Sequence, residues 1–179
     1  GVRLVGSEMC IRDRRAAEAL LSGDGAVKFD PEGDSVIAVN GDLTADPEKV
    51  VTYAPGTDTT MSSFAGGVTD LPGDVVSRLE KGGASAAAFT VKDGPWSTWR
   101  GEGANSDPNE MKERGEKVAE FQGLVQLEDY KNAETVSIGH SAGMTKISAA
   151  EMAGMLTDES ISIGGLSLIH ISEPTRRTP

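Results

Sequence analysis

Apolar residues along this chain follow two rhythms. Short runs with strand character lie at 26–29, 35–39, 49–54, 85–91 and 135–140, bounded by glycine, proline and polar residues. Between the later runs the spacing lengthens to threes and fours. Segments 75–81, 110–127 and 144–155 read as helices, with briefer helical patches at 16–21 and 61–65. In the longest helix, Met111, Arg114, Val118, Phe121, Leu124 and Val125 form one stripe. The first two runs flank Asp30-Pro31-Glu32-Gly33-Asp34 and make a hairpin. The later strands alternate with helices, which predicts an α/β fold with a parallel sheet and right-handed crossovers. The alanines of 85–91 imply a helix packed close on that strand.

The strand at 135–140 breaks into Gly139-His140-Ser141-Ala142-Gly143 and then into a helical pattern. That is the layout of a nucleophile elbow, in which a serine sits on a turn too tight for side chains at its flanks. A Cβ on either glycine would push strand and helix apart. The serine hydroxyl is then held above the carboxyl edge of the sheet, where free helix N–H groups favour negative charge. Gly-x-Ser-x-Gly alone is a weak signal in a chain rich in both residues, and the competing reading is an ordinary strand-to-helix turn. Strand before and helix after favour the elbow.

A second loop fits the same chemistry. The strand 49–54 runs into Pro55-Gly56-Thr57-Asp58-Thr59-Thr60. A glycine-bearing loop there leaves N–H groups free to point at an anion, and ahead of an elbow it supplies the second oxyanion donor. The plainer alternative is a turn with Thr59 or Thr60 as helix N-cap. The loop after 85–91 carries both tryptophans. Because loops at the carboxyl ends of strands line the ligand crevice, Asp58, Trp96 and Trp99 are candidate substrate-facing residues. The other role for the tryptophans is to anchor their loop to the body.

Charge and composition remove several classes. The chain carries a formal charge of −11, which argues against nucleic acid or an anionic membrane as partner. No run is long and apolar enough to span a bilayer. One cysteine and two histidines make neither a disulfide framework nor a usual zinc site. Asp30, Glu32 and Asp34 lack the full alternating calcium loop, and Gly101-x-Gly103 lacks the third glycine of a dinucleotide fingerprint. No metal or cofactor is expected. Localisation is left open, with the cytoplasm mildly favoured: no signal peptide or membrane span is visible, and the true N-terminus is expected to be missing.

Both ends read as foreign. Segments 5–14 and 167–179 resemble peptides translated from sequencing-adapter DNA, so 1–15 and 164–179 are expected to be non-native tails around a domain at 16–163. Setting them aside removes Cys10 and His170 from consideration and leaves a body more acidic still.

From about Leu20 to Met155 the sequence resembles the α/β-hydrolase superfamily. It is most similar to actinobacterial α/β hydrolases of unknown function. The resemblance rests on Phe29-Asp30-Pro31-Glu32-Gly33, on Gly41-Asp42-Leu43-Thr44-Ala45-Asp46 ahead of Ala54-Pro55-Gly56-Thr57-Asp58-Thr59, and on the elbow itself. The loop after the fourth strand departs from that branch, reading Lys92-Asp93-Gly94-Pro95 where a Tyr-Asp-x-Pro-like run is usual.

The resemblance implies the N-terminal part of a hydrolase fold, truncated after the nucleophile helix. It also implies acyl transfer from a small-molecule or acyl substrate to Ser141, with the backbone N–H groups of Ala142 and Thr57 holding the oxyanion. The acid and histidine should follow the serine. Asp158 and Glu159 come too early, and the ring of His140 should point away from the hydroxyl, so no competent base is expected within the segment. The last strand's edge should be left unpaired and the segment only marginally stable. The alternative function is a non-catalytic interaction or effector module on the same scaffold.

Overall fold

A computed structural model describes residues 25–43, 46–101, 103–127 and 130–165. The expected helical patch at 16–21, residues 1–15, Cys10 and His170 lie outside these. Six strands form one mixed sheet: β1 (Ala26–Asp30), β2 (Ser35–Asn40), β3 (Lys49–Ala54), β4 (Ala86–Lys92), β5 (Glu134–His140) and β6 (Glu159–Ile163). Their spatial order is β1-β2-β4-β3-β5-β6. β1, β2 and β4 pair antiparallel, whereas β4, β3, β5 and β6 run parallel. This is the expected hairpin followed by parallel strands with crossovers.

Three helices cover the sheet: α1 (Asp70–Lys81), α2 (Pro108–Leu127) and α3 (Ala142–Met152). Strand periodicity divides the core between the faces. Val51, Tyr53, Ala86, Ala88, Val136 and Ile138 pack with Val76 of α1. Val50, Ala54, Phe89 and Val91 pack with Val118 of α2 and with Met144, Ile147 and Ala150 of α3. A short 3-10 turn, Met61–Ala65, closes over Val36 and Ala38. Helices α2 and α3 cross closely. A Cβ on Gly115 would lie 2.7 Å from the carbonyl carbon of Ala149 and 2.8 Å from the nitrogen of Ala150.

Several boundaries and one whole element differ from the sequence reading. α1 begins at Asp70 rather than near Val75, because Pro72 is tolerated in a first turn that lacks intrahelical N–H bonds. α3 begins at Ala142, directly after the serine, and ends at Met152. Leu124 is 59% exposed and does not belong to the buried stripe of α2; Gln122 takes the place on that face, four residues after Val118.

The larger correction is β6. The chain does not stop at the nucleophile helix: Glu159–Ile163 pairs in parallel with Val136–His140, so the expected free edge of β5 is covered. Among the described residues no helix is long and apolar enough to cross a membrane.

Candidate functional site

The site is assembled by adjacency in the sheet. β3 and β5 are parallel neighbours with Ala54 opposite Gly139, so the loop leaving β3 and the turn leaving β5 emerge side by side. A Cβ on Gly56 would sit 3.0 Å from His140 Nδ1 and 3.4 Å from Ser141 Cβ. The two loops that the sequence singled out separately therefore touch.

Ser141 has φ +53° and ψ −122°, outside the regions that residues with a Cβ ordinarily occupy. The surroundings hold it there. Its N–H donates to the Ile163 carbonyl at 2.9 Å, while its own carbonyl accepts from Met144 N at 3.1 Å. Gly139 backs directly onto Met144, where a Cβ would come 2.5 Å from the backbone nitrogen. Gly143 abuts the end of β3, where a Cβ would meet the Ala54 carbonyl. Gly165 lies against the Ser141 carbonyl, so the chain leaving β6 returns over the elbow.

Such a conformation costs about 1–3 kcal/mol, and glycine adopts it far more easily. Ser141→Gly should therefore stabilise the protein by about 1 kcal/mol. Ser141→Ala, which keeps the strain, should leave stability nearly unchanged. Urea unfolding of the pair checks this; equal midpoints would mean that the turn is relaxed.

Ser141, His140, Thr57, Asp58 and Trp99 line one cavity of about 580 Å³, floored in part by Tyr53 and Leu71. Burial pushes the Tyr53 phenol above its ordinary value, so it stays protonated there. Trp99 is 71% exposed and forms part of the lining of this cavity. Trp96 is placed differently. It is 6% exposed, and its Nε1 donates to the Pro55 and Gly56 carbonyls at 3.1 and 3.0 Å. Its ring anchors the loop and lines a separate cleft of about 550 Å³, which meets the first at Asp58 and Thr59.

The loop that presents Thr57 is held on several sides. Asp58 N donates to the Ser97 carbonyl at 2.9 Å, and Thr59 Oγ1 donates to the Gly56 carbonyl at 2.9 Å. Asn105 Nδ2 donates to Thr57 Oγ1 at 2.7 Å. Thr59 thus braces the loop from within, and Thr60 takes the N-cap of the 3-10 turn, its N–H donating to Ser63 Oγ at 3.1 Å. Nothing in the sequence marks Asn105 for this task, because it is one polar residue in a glycine-rich loop. Among the described residues, the N–H groups of Thr57 and Ala142 have no hydrogen-bond partner. Ala142 is the first residue of α3, where N–H groups lack helical acceptors.

Among the described residues no hydrogen bond joins the Ser141 hydroxyl to a general base. His140 lies against Gly56, and no hydrogen bond joins its ring to Ser141. Asp158 is engaged at the other end of β5, where Oδ2 accepts from Thr135 N at 2.8 Å and from Thr135 Oγ1 at 3.0 Å. Thr135 and Ser141 are separated along the strand by roughly 17–20 Å. Glu159 stands one step along β6, opposite Val136.

The acidic hairpin turn is likewise spoken for. Lys92 Nζ pairs with Asp34 Oδ1 at 2.7 Å, and Asp30 Oδ1 accepts from Gly33 N at 3.1 Å. Among the described residues no cluster of histidine, cysteine or carboxylate groups could hold a metal ion.

Ser141, Thr57 and Asp58 thus line one cavity, beside the start of a helix whose first N–H groups lack helical acceptors. No family model matches the chain, and no curated protein matches it either.

Proposed function

We propose that this chain carries the nucleophile and oxyanion site of a serine hydrolase of α/β-hydrolase type, acting by acyl transfer on esters, thioesters or amides. Ser141 Oγ attacks the substrate carbonyl, and the N–H groups of Ala142 and Thr57 receive the oxyanion. The observation that carries this reading is the strained backbone of Ser141, held between glycines that admit no Cβ, at the wall of a cavity it shares with Thr57. Strain of this kind collects at functional sites.

The proton acceptor is not among the described residues, so the expected reactivity is that of an oxyanion site without its base. Serine proteases stripped of triad members retain roughly 10³–10⁴-fold catalysis over water, from the oxyanion hole and binding alone. A fluorophosphonate should accordingly modify Ser141 slowly but in strong preference to the other serines, as read by peptide mass spectrometry. Ser141→Ala should abolish that adduct. Labelling spread evenly over the serines would favour the non-catalytic scaffold.

A further inference from the structure

Lys146 lies on α3, five residues after the nucleophile, and its side chain is completely buried. Buried cations elsewhere in this protein are answered by carboxylates. Lys92 pairs with Asp34, and Arg114 Nη1 pairs with Glu110 at 2.5 Å. Lys146 has no carboxylate partner among the described residues. Its Nζ donates to the Ala142 carbonyl at 3.2 Å and stands 4.5 Å from the centroid of the Trp96 ring. A buried cation without a carboxylate is costly, and an apolar residue of similar length would pack there at less expense.

What Lys146 touches gives the cost a purpose. On one side is Ala142, which opens α3 and supplies one oxyanion donor. On the other is the indole whose N–H holds the carbonyls of Pro55 and Gly56, immediately before Thr57. An ammonium over the ring attracts it electrostatically and makes the indole N–H a stronger donor.

We propose that Lys146 is a positioning residue for the oxyanion site, its ammonium tying α3 to the loop of Thr57 through the ring of Trp96. The proposal rests on the serine-hydrolase reading above. Lys146 lines neither of the two cavities that meet at Asp58 and Thr59, so it acts through its neighbours.

The tie is sensitive to pH. Burial first, and the Arg114 guanidinium second, bring Lys146 down to about 7. Arg114, from α2, is the one charged group among the described residues that acts on it, and the guanidinium is itself paired with Glu110. The ammonium, and with it the attraction to the ring, is present below neutrality and lost above it.

For stability the sign is opposite. A lysine whose folded value lies below its unfolded value takes up fewer protons when folded, so stability falls as pH drops toward 7. Lys146→Met should therefore raise the urea midpoint at slightly acid pH and yet slow fluorophosphonate labelling of Ser141 there by about tenfold. The ratio of wild-type to Lys146→Met labelling rates should fall toward one as pH rises through neutrality, which cancels every titration the two proteins share.

In a Trp99→Phe background Trp96 is the single indole. Its emission should titrate near neutrality with Lys146 present and stay flat in Lys146→Met. A rate ratio independent of pH, or flat emission with Lys146 in place between pH ~5 and ~9, would overturn the lysine's role alone. Absence of selective labelling in every protein would overturn the hydrolase reading, and with it any oxyanion site for Lys146 to position.

Discussion

Gly143→Ala should destabilise the protein by about 3 kcal/mol or more, enough to threaten folding at ordinary temperatures. The added Cβ would be driven into the Ala54 carbonyl and would lie 2.7 Å from its carbon and 2.8 Å from the Pro55 oxygen. All of these are backbone atoms at the end of a central strand, so no rotamer change can make room. Relief requires β3 and α3 to part, which would unpack Ala54, Met144 and Ile147 from the face they share. Gly123→Ala is the matched control. It lies within α2 with nothing near the site of the new methyl, and should stabilise by about 0.5–1 kcal/mol. Urea midpoints of the two variants, read against wild type, decide the point. Comparable midpoints would mean that the elbow is not packed as tightly as described.

Trp96→Ala should cost about 3–5 kcal/mol, the usual penalty for emptying a large aromatic site in a core. The ring packs into the cluster formed by Val91, Met144 and Ile147, and its N–H satisfies two carbonyls of the oxyanion loop. Trp96→Phe separates these roles. It keeps most of the apolar contact and leaves the Pro55 carbonyl without its donor, while the Gly56 carbonyl keeps Thr59 Oγ1, for a loss of about 1–3 kcal/mol. The Phe variant should remain folded while labelling of Ser141 slows, because the loop of Thr57 loses one of its ties. A folded Phe variant with an unchanged labelling rate would show that the loop is set without the indole, by the bonds of Asp58, Thr59 and Asn105.

The part of this protein legible in sequence is the part fixed by local sterics. Gly139 and Gly143 could be read because a turn that bears a serine between a strand and a helix leaves no space for side chains, and the same argument works without a structure. The loop at Gly56 and Thr57 was legible in kind. Its contact with the elbow follows from β3 and β5 being neighbours, which spacing along the chain does not dictate.

β6 was missed for a related reason. Glu159-Ser160-Ile161-Ser162-Ile163 has two apolar residues and a mostly exposed face, so its strand character comes from pairing with β5 rather than from its own pattern. Leu124 was misplaced because a spacing of three from Phe121 admits it to a stripe that the register of Val118 and Gln122 excludes. The two tryptophans look alike in the sequence, yet the fold turns one into an anchor and the other into part of the cavity wall.

Lys146 could have been suspected. The helix after the serine carries apolar or small residues on nearly every side, so it must be buried, and a lysine within it has no route to water. Asn105 offered no such clue, since its role depends on where a long loop folds back.

The most direct test of the central claim is site-resolved fluorophosphonate labelling of the wild-type chain, with Ser141→Ala beside it. The account predicts an adduct on Ser141 in clear preference to every other serine, absent in the alanine variant while its urea midpoint stays put. An adduct pattern with no preference for Ser141, in a protein shown by its unfolding transition to be folded, would contradict it.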